Sequence, residues 1–248
     1  MTTKQKAIVT TSWDDGHPAD LRLAEMLSRH NLPATFYVPV IGPDGKPTLQ
    51  SNGIRSLRRA GFEIGAHTIC HTILTGIPQT RVRTEVFDSK AVLEDTLGEP
   101  ITMFCYPKGR FDRHTVACLR EAGYRGARTT RVLATPRNFH RYEMPTTIQA
   151  FPTRPMGYIR NLTRRMAFGS LYSYCTRHCR QKSWVDLGKQ LFDTVRQRGG
   201  IWHLYGHSWE LESLHLWDDL NDLFTYIAHR EGILYTSNSG LLDFAHPS

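Results

Sequence analysis

The stretch Ala7-Ile8-Val9-Thr10-Thr11-Ser12-Trp13-Asp14-Asp15-Gly16 decides how this chain is read. Ala7–Thr11 is a short apolar, β-branched run, the composition of a buried strand. Asp14-Asp15-Gly16 is turn-forming. A helical stripe follows, with Leu21, Leu23, Ala24, Met26 and Leu27 on it, and it stops at Asn31 and Pro33. Strand, polar turn and helix make the opening unit of a parallel α/β fold. In such folds active sites assemble at the carboxyl ends of strands, which is where the paired carboxylates stand.

Outward from this unit the alternation continues. Ala34–Val40 reads as a strand, Ile54, Leu57 and Arg58 as a short helix ending at Gly61, and Phe62–Ala66 as a third strand. Val82, Val86, Leu93 and Leu97 mark a long helix closed by Gly98 and Pro100. Strand Ile101–Cys105, helix Arg113–Ala122 and strand Tyr124–Ala127 come next. Later, Leu187, Leu191, Phe192 and Val195 line a helix that ends at Gly199-Gly200, before strand Ile201–Tyr205. Helix Leu216–His229 and strand Ile233–Tyr235 complete the pattern. It predicts a mostly parallel sheet, open or closed into a barrel, in one domain over 1–248. Between Pro145 and Trp184 the pattern blurs into a surface insertion, where Ile159, Leu162 and Met166 form one face of a basic amphipathic helix.

Composition sets the broad class. The chain has 248 residues, 40% hydrophobic and 22% charged, enough to bury one core and unlike a disordered segment. It has no long apolar run to span a membrane, and Met1–Lys6 lacks the apolar core of a secretory signal. Five scattered cysteines read as free thiols, so the expected location is cytoplasmic. Cys175 and Cys179 with His178 between them are half of a zinc knuckle, but no second pair follows at finger spacing. The formal charge of +8 is concentrated: from Met144 to Val185 stand Arg154, Arg160, Arg164, Arg165, Arg177, Arg180 and Lys182, with no Asp or Glu. Such a patch suits an anionic partner, or contact with a membrane surface.

Three places carry chemistry, each just after an expected strand. Alone, Asp14-Asp15 is most simply a turn and a helix cap. His67-Thr68-Ile69-Cys70-His71 changes that reading, because an i, i+4 pair of imidazoles shares one face if the segment is helical. Two histidines and a carboxylate leave metal positions open for water and substrate, as catalytic sites do. The third place is Trp202-His203-Leu204-Tyr205-Gly206-His207-Ser208-Trp209-Glu210. By strand alternation His203 points away from Leu204 and reads as structural. His207 lies beyond the strand and is the candidate general acid.

The order Thr11-Ser12-Trp13-Asp14-Asp15-Gly16, Pro33-Ala34-Thr35-Phe36-Tyr37-Val38, then His67 to His71, resembles the polysaccharide deacetylase family (carbohydrate esterase family four). Phe104-Cys105-Tyr106-Pro107-Lys108-Gly109 resembles its third motif, and Gly206-His207-Ser208-Trp209-Glu210 the last motif in its small amide-cleaving branch. The resemblance implies a distorted (β/α) barrel of about seven strands and hydrolysis of an N-acyl group on a sugar. It implies one divalent metal held by Asp15, His67 and His71; tetrahedral N/O ligation makes zinc the default, with cobalt, nickel or iron as alternatives. Asp14 would be the base, His207 the acid and the Lys108 backbone N–H an oxyanion donor. Tyr106, Pro107, Trp209 and Arg141 join Lys108 as candidates for oxyanion and substrate binding.

Two departures stand out: Cys105 occupies the position of the family's third-motif arginine, and no Asp-Trp motif supports the acid, though Glu210 or Arg141 offers a substitute. The expected substrate is a carbohydrate, anionic or linked to lipid or nucleotide, in cell-envelope glycan synthesis. Cleavage of a small cyclic amide keeps the same metal. A two-His-one-carboxylate iron oxygenase leaves Asp14 without a task. A non-catalytic glycan-binding protein has no need to retain Asp14 and all three ligands. Basic charge alone permits nucleic-acid binding, without a recognised motif.

Overall fold

In the computed structural model, which describes residues 7–164, 167–178, 181 and 183–245, β1 (Ala7–Asp14) is buried along its whole length at the centre of a parallel sheet. One of its edges pairs with β7 (Gly200–Gly206) from Ala7 to Trp13. It also pairs with β8 (Ile233–Tyr235) at Ala7–Val9 and with β2 (Ala34–Val38) at Thr11–Asp14. Beyond β2 come β3 (Glu63–Ala66), β4 (Met103–Cys105) and β5 (Gly126–Arg128), and beyond β7 the two-residue β6 (Ile148–Gln149). Every pairing is parallel. The segment leading into β6 curls the sheet toward closure. Met144 exchanges backbone hydrogen bonds with Ala127 and Thr129 on the β5 side, and Thr147 then bonds the carbonyl of His203 on β7. The architecture is the distorted α/β barrel that the family resemblance implies.

Helices follow most strands: α1 (Asp20–Arg29), α2 (Ser51–Arg59), α3 (Gln79–Leu97) and α4 (Arg113–Glu121). After β6 come α5 (Pro155–Arg164), α6 (Phe168–Ser173), a π-helical turn over Tyr174–His178 and α7 (Trp184–Arg198). The chain ends in α8 (Ser208–Ser213), α9 (Trp217–Ile227) and α10 (Asn238–Ala245) around the last strands. No helix among the described residues is long and apolar enough to cross a membrane.

Strand alternation splits the interior in two. Val9, Trp13, Trp202 and Leu204 face the helices in the larger core. Ile8, Tyr37, Met103, Cys105 and Ile201 face the lumen. Truncating Trp13 or Trp202, both fully buried, to alanine would cost about 3–5 kcal/mol each.

The lumen is polar at its middle. His203 bonds Ser12 Oγ at 2.9 Å and the Pro145 carbonyl at 3.0 Å, so it is a structural side chain of the barrel. Asn238, at the start of α10, donates to Thr10 Oγ1 and accepts from the Tyr37 hydroxyl, closing the barrel's lower end.

The sequence-based boundaries shift in places. β1 runs three residues further, to Asp14, which places that carboxylate on the strand. β6, α8 and α10 stand where no element is expected, and the 150–184 insertion folds as two α-helices, α5 and α6, followed by the π-helical turn. Met1–Lys6, Arg165, Met166, Cys179, Arg180 and Lys182 lie outside the described residues. Of the expected face of the basic helix, Leu162 is buried and Ile159 packs on the core.

Candidate metal and hydrolytic site

Asp14 is the last lumen-facing residue of β1. The next two residues take left-handed conformations, Asp15 at φ 75° and Gly16 at φ 58°, and turn the chain sharply over the end of the sheet. Aspartate tolerates that region, and Gly16 is required as well by space, since a Cβ would sit 2.8 Å from Val38 Cγ1. Consecutive carboxylates thereby reach different partners.

His67 leaves the end of β3, and His71 follows a turn, not the helix on which the i, i+4 reading depended. Thr68 (φ 68°) and His71 (φ 54°) are both left-handed, which excludes a helix. The turn is held from below by Glu85, a fully buried carboxylate on α3. It accepts from the Ile69 N–H at 2.8 Å and the Thr72 hydroxyl at 2.8 Å, and pairs with Arg81 at 2.7 Å. The two imidazoles meet at 4.9 Å between ring centroids.

His67 Nε2 and His71 Nε2 lie 3.7 and 3.5 Å from Asp15 Oδ1. His67 Nδ1 is 2.7 Å from the Cys105 carbonyl, which fixes the proton there and leaves Nε2 with its lone pair. Trp209 Nε1 donates to Asp15 Oδ2 at 2.9 Å, while Oδ1 is buried with no hydrogen-bond partner. An orphaned buried carboxylate oxygen is costly unless something positive meets it. Metal–ligand bonds of about 2.0–2.1 Å in a tetrahedron place ligand atoms about 3.4 Å apart, so Asp15, His67 and His71 fit a divalent cation. A second cluster brings together Asp14, His67 and Cys105. Burial pushes the Cys105 thiol well up, and its Sγ lies 3.7 Å from Asp14 Oδ2.

Asp14 has another partner. Arg128, the last residue of β5, is fully buried and its guanidinium grips Asp14 Oδ1. Burial works against the Asp14 charge. Arg128, helped by His67 and His207, overcomes it and holds the carboxyl down to about 2. The guanidinium also lies over the rings of Tyr205 and Tyr37, 4.8 and 5.4 Å from their centroids. Cys105 therefore does not leave Asp14 unsupported, because the arginine comes from the neighbouring strand. The only sequence signal was a cation directly after an apolar strand.

His207 caps the strand-to-helix junction between β7 and α8. Its Nδ1 bonds Glu210 Oε2 at 2.7 Å, and its Nε2 stands 4.0 Å from both Asp14 Oδ2 and Asp15 Oδ2. Burial depresses its pKa, but the Glu210 hydrogen bond and the charges of Asp14, Glu210 and Asp15 raise it overall. Gln149 steadies Glu210, donating to it at 3.3 Å while accepting from Tyr205 at 2.9 Å.

The remaining expected residues divide. Trp209 joins the cluster, with Lys46 Nζ 3.2 Å over its ring. Lys108 (φ 54°) and Gly109 (φ 66°) form a 3₁₀ turn beyond β4. Pro107 is buried, and Tyr106 is a core side chain, bonded to the Tyr142 carbonyl and stacked on Phe111. Arg141 is exposed, and its carbonyl faces Gly126 at the opposite end of β5 from Arg128. It is not brought to the cluster. Glu85, Lys46 and Arg128 went unread in the sequence.

The sequence profile described as polysaccharide deacetylase matches residues 1–127. YxkH of Bacillus subtilis (strain 168) is 26% identical over 141 residues, 56% of this chain and 50% of that protein. The peptidoglycan-N-acetylglucosamine deacetylase of Bacillus cereus is 24% identical over 119 residues, 47% of this chain and 54% of its own. The chain thus spans about half the length of these curated relatives. A crystal structure from Mycobacterium smegmatis, assigned to the polysaccharide deacetylases, shares the fold at a TM-score of 0.65. That alignment covers 99% of this chain and 92% of the other at 16% identity. With a barrel of this topology and a profile match over half its length, the chain belongs to the polysaccharide deacetylase family.

Proposed function

We propose that this chain is a metal-dependent hydrolase that removes an N-acyl group, first of all N-acetyl, from an amino sugar in a glycan or glycan precursor. The observation that carries the reading is Asp15 Oδ1, buried, unpartnered and 3.5–3.7 Å from the Nε2 atoms of His71 and His67. A divalent cation on Asp15, His67 and His71, zinc by ligand preference, would supply Lewis acidity, polarising an acyl carbonyl and acidifying water.

The protein's own groups divide the proton work. Asp14 stays ionised throughout the neutral range because Arg128 holds its Oδ1, which leaves Oδ2 to accept a proton from the attacking water. Glu210 favours the protonated form of His207, which stands across the cleft from Asp14. It donates to the departing amine, which would otherwise leave as an unstable anion. The Lys108 backbone N–H is the proposed oxyanion donor. Trp209 orients Asp15, and Lys46 with it forms one wall. We assign the activity to 1–248 as one catalytic domain.

An N-acetylated amino sugar is the substrate class in the name of the Bacillus cereus relative, and it suits this site. The cationic stretch after Met144 favours a sugar bearing an anionic group. The test starts with metal content by mass spectrometry on wild type and His67→Ala. Near one equivalent of a divalent ion in wild type, lost in the variant, is expected. Acetate release from N-acetylated oligosaccharides, neutral and anionic, follows. A wild type that takes up no metal after reconstitution defeats the hydrolase reading.

A further inference from the structure

The insertion starts just after β6, so it rises from the same end of the sheet as Asp14, His67 and His207. Its two short helices pack against each other and turn one face inward, where Tyr158 and Leu162 are buried and Ile159 and Leu171 meet the core. Their other face is unusual. On α5, Met156 is 69% exposed, with Arg160 exposed one turn on. On α6, Phe168 is 63% and Tyr172 73% exposed, again one turn apart. The other exposed large hydrophobics among the described residues (Leu21, Ile41, Val92, Leu214 and Phe244) lie singly along the chain.

Charge gives this face its second property. Exposed Arg154 and Arg160 form no ion pair among the described residues. The sequence from Met144 to Val185 holds seven cations and no acid. An excess of cations favours an anionic partner. An anionic polymer would engage the arginines but leave Met156, Phe168 and Tyr172 in water. A bilayer satisfies both, since aromatic and aliphatic tips enter the boundary between headgroups and acyl chains while arginines meet lipid phosphates.

We infer that the α5–α6 face docks this protein on an anionic phospholipid bilayer, with Met156, Phe168 and Tyr172 inserted and Arg154 and Arg160 on the phosphates. Docking would hold the carboxyl end of the sheet near the lipid surface. If the deacetylase reading holds, the sugar reached there is one presented at a membrane. The docking itself does not depend on that reading.

Vesicle co-sedimentation tests it, with phosphatidylcholine vesicles compared with phosphatidylcholine mixed with phosphatidylglycerol. Wild type is expected to bind the mixed vesicles and not the neutral ones. Arg154→Gln with Arg160→Gln should weaken binding about thirtyfold, at the usual contribution per cation near an anionic surface. Phe168→Ser with Tyr172→Ser should abolish binding while metal content and hydrolysis of a water-soluble N-acetylated sugar stay at wild-type level. Wild type that ignores the mixed vesicles overturns the proposal. So does a serine pair that still binds them as well as wild type and is stripped by polyphosphate, which would identify an anionic polymer as the partner. A protein that docks yet hydrolyses nothing leaves the docking standing and counts against the deacetylase reading.

Discussion

Arg128 and Asp14 are buried together, so each depends on the other for charge compensation. Removing one partner of such a pair leaves a naked charge in the lumen. Arg128→Met is therefore expected to lower stability by about 3–5 kcal/mol in urea unfolding. Arg128→Lys should recover only part, because an ammonium cannot reproduce the guanidinium fork or its stacking on Tyr205. Glu210→Gln removes the first of the causes that raise the His207 pKa. A histidine that must stay protonated works until the pH passes its pKa, so the alkaline limb of the activity profile should move to lower pH in this variant. An unmoved limb would disconnect Glu210 from the acid. Asp20 provides the opposite case, a fully buried carboxyl beside Ser208 whose oxygens make no hydrogen bond of good geometry. Burial raises its pKa well above the ordinary 3.8. The folded protein thus keeps a proton that the unfolded chain releases near pH 3.8, and stability falls as the pH rises from there through the folded value. Asp20→Asn should be more stable than wild type at pH 7 by on the order of 1 kcal/mol, with the gain vanishing below pH 3.8.

Turns, not helices, place the chemical groups, and this limits what an element-level reading can find. The His67–His71 pair was legible as a pair, but the periodicity that suggested a helix is absent: two left-handed residues and the Glu85 carboxylate make the turn. Neither signal is periodic. α8 and α10 were missed because elements of six and eight residues carry little repeat, and β6 because two residues carry none. The long strands and helices announced themselves through burial on both faces or on one. The 3₁₀ turn beyond β4 is tightly specified. A Cβ on Gly109, at φ 66°, would lie 2.2 Å from Thr130 Oγ1 and 2.8 Å from its backbone nitrogen. Gly109→Ala should displace this turn and the neighbouring Lys108 amide. If that amide is the oxyanion donor, kcat should fall by about 10²-fold or more with metal content retained, as for loss of one such donor elsewhere.

Across the whole molecule, five strand ends converge on one site: β1, β3, β4, β5 and β7 contribute Asp14 and Asp15, His67, the Cys105 carbonyl, Arg128 and His207. The sequence showed the strand ends bearing recognisable motifs, and could not show Arg128, since which strand lies beside β4 is a matter of sheet order. A cation tying β1 to β3 through Asp15 and His67 would also favour the folded state. Chelator should lower the melting temperature of wild type but leave His67→Ala unchanged, measured by calorimetry. Equal melting in both proteins would argue against a metal at this site.

The polar lumen has a consequence for how the barrel is made. Asn238 bonds Thr10 across 228 positions, and Ser12 waits for His203 across 191. Contact order is therefore high at the molecule's centre, and β1 meets these partners only after 191 or more further positions have been made. Such a chain pays loop closure before the contacts that reward it. Until then β1 and its motif would wait with hydroxyls facing an unfilled lumen, so folding should be slow and exposed to capture by chaperones.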